Sequence, residues 1–138
     1  MFKRIMAPVD LAHVEKLECA LDCAADLAKH YDVPIVYVGV TSSAPSRLAH
    51  NPKEFGQKLD AFAQGQADKQ GLQATAHTAI AHDPTTEVDD ALVRAIDETG
   101  ADLVVMASHV PNVMDHIWPS NGGKLAEHAK CSVMVVRS

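Results

Sequence analysis

Ser120, Asn121, Gly122 and Gly123 form the most chemically suggestive run in the chain. At a helix start, a hydroxyl, an amide and two residues without side chains would meet free backbone N–H groups and the positive end of the helix dipole. That combination binds anions. Upstream, the apolar run from Asp102 to Met106 breaks into Ala107, Ser108 and His109, bringing a small residue, a hydroxyl and an imidazole to a strand end. A second apolar run, Ile5 to Val9, closes on Asp10. Ligands of open α/β sheets collect beyond the carboxyl ends of the strands, where Asp10 would stand. Taken alone, Asp10 favours the plainer role of opening a turn into the next helix.

Other candidate groups carry less. Cys19 and Cys23 are one helical turn apart and could pair on a metal, but no further Cys or His stands at a zinc-finger spacing. Small core filler is the expected role for both. His77 and His82 lie near strand ends, where imidazoles usually find local partners. His109, Asp115 and His116 near an anion site suggest a hydrolase, yet no nucleophile–base–orienter set, P-loop or metal motif can be assembled, and no catalytic residue is assigned.

The elements that must position these residues follow from the hydropathy period. Ile5–Val9 reads as a short buried strand. Val14, Leu17, Leu21, Ala24, Ala28 and Tyr31 recur every three or four residues and predict one amphipathic helix over about 13–31. Residues 33–40 are apolar along most of their length, as in a parallel strand covered on both faces. Residues 41–52, rich in Ser, Ala and Pro, read as a connecting loop. Phe55, Leu59, Phe62 and Gln66 mark one side of a helix ending near Gly71. Residues 72–81 alternate weakly and fit a thin strand towards a sheet edge. Asp83 and Pro84 suggest the N-cap and first residue of a helix whose inner face is Val88, Ala91, Leu92, Ala95 and Ile96, stopped by Gly100. Residues 102–107 form a fourth strand, 124–129 a short helix and 131–136 a fifth strand. This β-α alternation implies one α/β domain over 1–138 with a parallel sheet and right-handed crossovers.

Composition narrows the partners. Hydrophobic residues make up 47% of the 138, with few aromatics, enough to fill a helix-covered sheet. The formal charge is −6 and Lys and Arg are scattered, so nucleic acid is not an expected partner. The N-terminus lacks the apolar region of a signal peptide, and no stretch is long enough to span a bilayer. Three cysteines, an odd number, suit a reducing compartment. The expectation is a cytoplasmic protein without membrane insertion.

Three blocks, taken together, resemble the single-domain universal stress proteins over essentially the whole chain. They are Ile5 to Asp10; His82-Asp83-Pro84 leading through Gly100 to His109; and Ser120-Asn121 followed by His128 to Arg137. The loop from Ser108 is similar to a branch that carries Ser-His-Arg-Pro-Gly and then Gly-Ser-Asn. The resemblance implies an open five-stranded parallel sheet of order 3-2-1-4-5 with helices on both faces, the adenine nucleotide alpha hydrolase-like fold. It also implies a homodimer in which the last strands pair through Val133, Met134, Val135 and Val136.

Many such proteins bind ATP or AMP, with Mg2+ expected only if ATP is bound. Carried onto this chain, the site would comprise Ala7, Pro8, Val9, Asp10, Val38, Met106, Ala107, Ser108, His109, Val110, Ser120, Asn121 and Gly122. Asp10 would hold the adenosine, Val38 and Met106 would line the base, and Ser108, His109, Ser120 and Asn121 would face ribose and phosphates. Binding members carry Gly-x2-Gly-x9-Gly-Ser/Thr or a form one residue shorter, whose glycines let N–H groups approach the phosphates. Here Ala107, Val110 and Pro119 replace the glycines or their equivalents, Asn112 takes the Gly place of Ser-His-Arg-Pro-Gly, and Ser120 is retained. Pro119 also removes a backbone N–H. Two lost contacts of ~1–2 kcal/mol each would weaken binding by roughly 30- to 1,000-fold. Trp118 and Met114 would cover the pocket or pack the loop, the latter being preferred for Trp118. The implied function is a stress-response homodimer with an adenine nucleotide as regulatory ligand. The alternatives are a dimer acting through a regulatory protein partner without nucleotide, and a slow ATP hydrolase.

Overall fold

The computed structural model describes residues 1–45, 49–83, 87–108 and 122–137. Arg47, Pro84, His109, Val110, Asn112, Met114, Asp115, His116, Trp118, Pro119, Ser120 and Asn121 lie outside the described residues. Five strands, β1 (Ile5–Pro8), β2 (Ile35–Thr41), β3 (Ala74–Ile80), β4 (Leu103–Ala107) and β5 (Ser132–Val136), form one parallel sheet in the order β3-β2-β1-β4-β5. This is the order that the resemblance implies. Strands β1 and β2 are buried along nearly their whole length because helices cover both faces. β3 and β5 are the two edges.

Side-chain alternation divides the core in two. Ile5, Ala7, Val9, Ile35, Tyr37, Leu103 and Val105 face α1 (Glu18–Tyr31) and α2 (Pro52–Gln70). Met6, Val36, Val38, Val40, Val104 and Met106 face α3 (Val88–Thr99) and α4 (Gly122–His128). Gly39 lets α2 approach β2 closely: a Cβ there would stand 2.7 Å from Phe55 Cζ. The glycines expected to stop α2 and α3 do so, Gly71 at φ 67° and Gly100 at φ 72°. Asp32 takes the same left-handed conformation after α1, which a short polar side chain tolerates.

Two expected elements differ. The single helix over 13–31 is instead a 3-10 segment, Leu11–Lys16, followed by α1, with Leu17 at the break and buried. His13 leaves helical geometry (φ −136°, ψ 40°) as its side chain turns back to Asp10, and a polar bond of that kind leaves no trace in hydropathy. The helix expected to begin at Asp83-Pro84 begins at Val88, with Glu87 at its N-cap. Asp83 accepts from Glu87 N through its carbonyl, and the Glu87 carboxylate accepts from His82 N. No helix among the described residues is long and apolar enough to cross a membrane.

Candidate functional site

The sheet opens between β1 and β4. Ile5 and Val9 donate their N–H groups on the β2 side, to Pro34 O just before that strand and to Val38 O within it. Successive residues of a parallel strand address opposite neighbours, so position 8 should donate to β4. It is a proline and has no N–H to give. The β1–β4 register accordingly reaches only Met6↔Val104. The outer ladders run on, to Val9 N→Val38 O (2.8 Å) on one side and Ser108 N→Val136 O (2.9 Å) on the other. Strands β1 and β4 thus part at the point where the strand order reverses, the usual place for a ligand in such a sheet.

Asp10 follows the end of β1 at this place and is 3% exposed. Its Oδ1 accepts from Ala12 N at 3.0 Å, capping the 3-10 segment, and its Oδ2 lies 2.7 Å from His13 Nδ1. A carboxylate only accepts, which assigns the proton to Nδ1. His13 is 26% exposed, and Nε2 has no partner among the described residues. A buried carboxylate thus orients a half-exposed imidazole, whose Nε2 is left to offer a hydrogen bond beside the ends of β1 and β4. Asp10 does open the turn, as its neighbourhood suggests. Both of its oxygens are engaged within the chain.

The described candidates meet at this end of the sheet. Ala7, Pro8 and Val9 are buried at the end of β1, and Val38 stands in register with Pro8. Val38 and Met106 belong to one core cluster beneath α3 and α4. Ala107 and Ser108 are half-buried at the end of β4, and Gly122 is the first residue of α4. His13 was missed by sequence reasoning. The available signal was an Asp-x-x-His spacing directly after a buried strand. Pro8 at the end of a central strand was the signal for the parting of β1 from β4.

Elsewhere, His77 Nε2 lies 3.4 Å from Glu98 Oε2, too poorly aligned to satisfy the imidazole. No group of three or more His, Cys, Asp or Glu among the described residues is placed to hold a metal. Core filler is the wrong role for Cys19, which is exposed: α1 buries Ala20, Leu21, Ala24, Ala25 and Ala28, leaving position 19 outside. Cys23 and Cys131 are half-buried against the core. Burial raises both thiol pKa values above the ordinary range, helped by Asp26 for Cys23 and by Asp102 for Cys131.

Comparison with known proteins agrees with this architecture. The model of the universal stress protein family matches residues 1–137. Universal stress protein G of Shigella flexneri is 30% identical over 148 residues, covering 99% of this chain and 100% of that protein. A crystal structure of a universal stress protein in complex with cAMP superposes with a TM-score of 0.68 at 18% identity, covering 98% of this chain and 97% of the other. The universal stress protein from Archaeoglobus fulgidus in complex with dAMP gives 0.66 at 18% identity, with 96% of each chain covered. At that identity the two structures speak for the fold alone. The family match and the full-length relative together make this chain a member of the universal stress protein family.

Proposed function

We propose that the chain binds an adenine nucleotide, ATP or AMP, between the ends of β1 and β4, as a regulatory ligand of a cytoplasmic stress-response homodimer. The observation that carries this is the parting of β1 from β4 at Pro8, at the point where strand order reverses. The cAMP and dAMP complexes of structural neighbours support an adenosine-sized ligand on this fold. Val38 and Met106 would underlie the base, Ala107 and Ser108 would border the ribose, and His109, Val110, Ser120, Asn121 and Gly122 would meet the phosphates, with Mg2+ accompanying ATP only. Ala107, Val110 and Pro119 in place of glycine or its equivalents weaken that grip. With Asp10 engaged by Ala12 and His13, the Nε2 of His13 becomes the polar group offered to the adenosine. Isothermal titration with ATP and with AMP tests the reading. Weak saturable heat supports it, and no heat up to millimolar nucleotide sinks it.

The dimer would form along β5, an edge strand on which Met134 and Val135 are 40% and 38% exposed. Sedimentation of a single monomer-sized species at every concentration would overturn it. Three free thiols support a reducing, cytoplasmic setting.

A second reading rests on the same engaged carboxylate: the candidate site is self-satisfied and the dimer acts through a protein partner. Val110→Arg with Pro119→Gly should then create nucleotide binding that the parent lacks. Nucleotide co-purifying with the parent chain refutes this alternative.

A further inference from the structure

A second constellation lies on the seam between α1 and β5, apart from the candidate nucleotide site. Cys23 Sγ is 3.7 Å from Met134 Sδ, joining residues 111 positions apart. Met134 is in register with Val105, whose side chain belongs to the α1–α2 core, so it points to the α1 side of β5. Cys19 precedes Cys23 by one helical turn, stands on the same side of α1 and is exposed. Helical side chains lean towards the N-terminus, so the Cys23 sulfur leans towards Cys19.

The seam therefore joins one thiol to a thioether, with a second thiol one helical turn away on the same side of α1. Metal–sulfur bonds of about 2.3 Å place two sulfurs of one coordination shell roughly 3.8 Å apart, close to the separation already present. Thioethers serve hard cations poorly, and thiolate–thioether sets select Cu(I). Asp26, near enough to act electrostatically on Cys23, adds negative charge that favours a cation.

We propose that Cys19, Cys23 and Met134 form a binding site for a soft monovalent cation of the Cu(I) class. Loading displaces the two thiol protons and forms two Cu–thiolate bonds and one Cu–thioether bond, with no change of oxidation state. The site does not depend on nucleotide. Because Met134 points towards α1 rather than along the strand-pairing direction, it is compatible with a dimer through β5.

The test is anaerobic titration of the reduced full chain against the Cu(I) complex of bicinchoninate. The chain should withdraw about one equivalent of Cu(I) per molecule. Met134→Leu, which keeps an apolar side chain of similar volume, and Cys19→Ser should each weaken binding at least about tenfold while circular dichroism shows the native fold. Cys131→Ser, on the far side of the sheet, should bind as the parent does. The proposal fails if no copper is withdrawn, if Met134→Leu or Cys19→Ser binds like the parent, or if Cys131→Ser weakens binding as much as they do.

Discussion

At the residue scale, removing the Asp10 carboxylate takes away both the cap of the 3-10 segment and the anchor of His13. Asp10→Ala should lower unfolding free energy by about 1–2 kcal/mol in urea denaturation, the usual cost of losing such a cap. Asp10→Asn keeps an acceptor for Ala12 N and should lose less; equal losses would mean that the cap contributes little. Tyr37 poses the opposite problem. Its ring is fully buried and packs edge-on against Phe62, while its hydroxyl has no hydrogen-bond partner among the described residues. Burial pushes its pKa up to about 12. The unfolded chain releases this proton near pH 10, whereas the folded chain holds it to about 12. The tyrosine's contribution is therefore complete below pH 10 and lost progressively as pH rises across that window, by an amount on the order of 2 kcal/mol. Tyr37→Phe should remove this alkaline loss and be neutral or stabilising at pH 7, because it discards an unsatisfied buried hydroxyl. Urea midpoints at pH 7, 10.5 and 11.5 check both statements; parallel curves for parent and variant would refute the pH assignment.

At the scale of elements, the legible features were those that depend on period and on glycine. Continuous apolar runs gave the buried strands, three- and four-residue spacing gave the inner faces of α1, α2 and α3, and Gly71 and Gly100 marked two helix ends where φ is positive. The features that stayed hidden depend on one polar contact or one missing donor. The break before α1 follows from the His13–Asp10 bond, and the split between β1 and β4 follows from the absent N–H of Pro8. Strand β5 has an apolar sequence, yet its central residues are half open to solvent because nothing among the described residues pairs with its outer edge. An apolar open edge is an association surface unless it carries charge. Val135→Lys should therefore abolish the dimer proposed here while leaving the monomer folded. Sedimentation velocity and far-UV circular dichroism measure the two effects. A folded dimer surviving in the variant would move the interface elsewhere.

At the scale of the whole molecule, the candidate site was legible to the extent that it is built from strand ends. In a parallel sheet the carboxyl ends share one edge, so Asp10, Ala107 and Ser108 had to gather there once the strands were recognised, with Val38 beside them through its register with Pro8. The division of labour among them was not legible, because His13 takes up the Asp10 oxygen that the family resemblance would give to adenosine. The net charge then decides how a nucleotide could be held. The chain carries −6, and the stretch from His109 to Asn121 contains no Lys or Arg but one Asp. The cation at the start of α4, Lys124, already lies 3.9 Å from Asp89. A phosphate bound there would rely on backbone N–H groups and the Ser120 hydroxyl, which are short-range donors, while the long-range field opposes a polyanion. Salt screens the long-range term within about 8–10 Å and leaves the short contacts largely intact. ATP affinity should therefore stay level or rise as KCl increases from about 20 to 200 mM, the reverse of a site built on cationic side chains. Titration calorimetry at the two salt concentrations with Mg2+ fixed is the measurement. A fall in affinity of tenfold or more would mean that a lysine, with Lys124 first in line, grips the phosphates, and Lys124→Ala would then reproduce that loss at low salt.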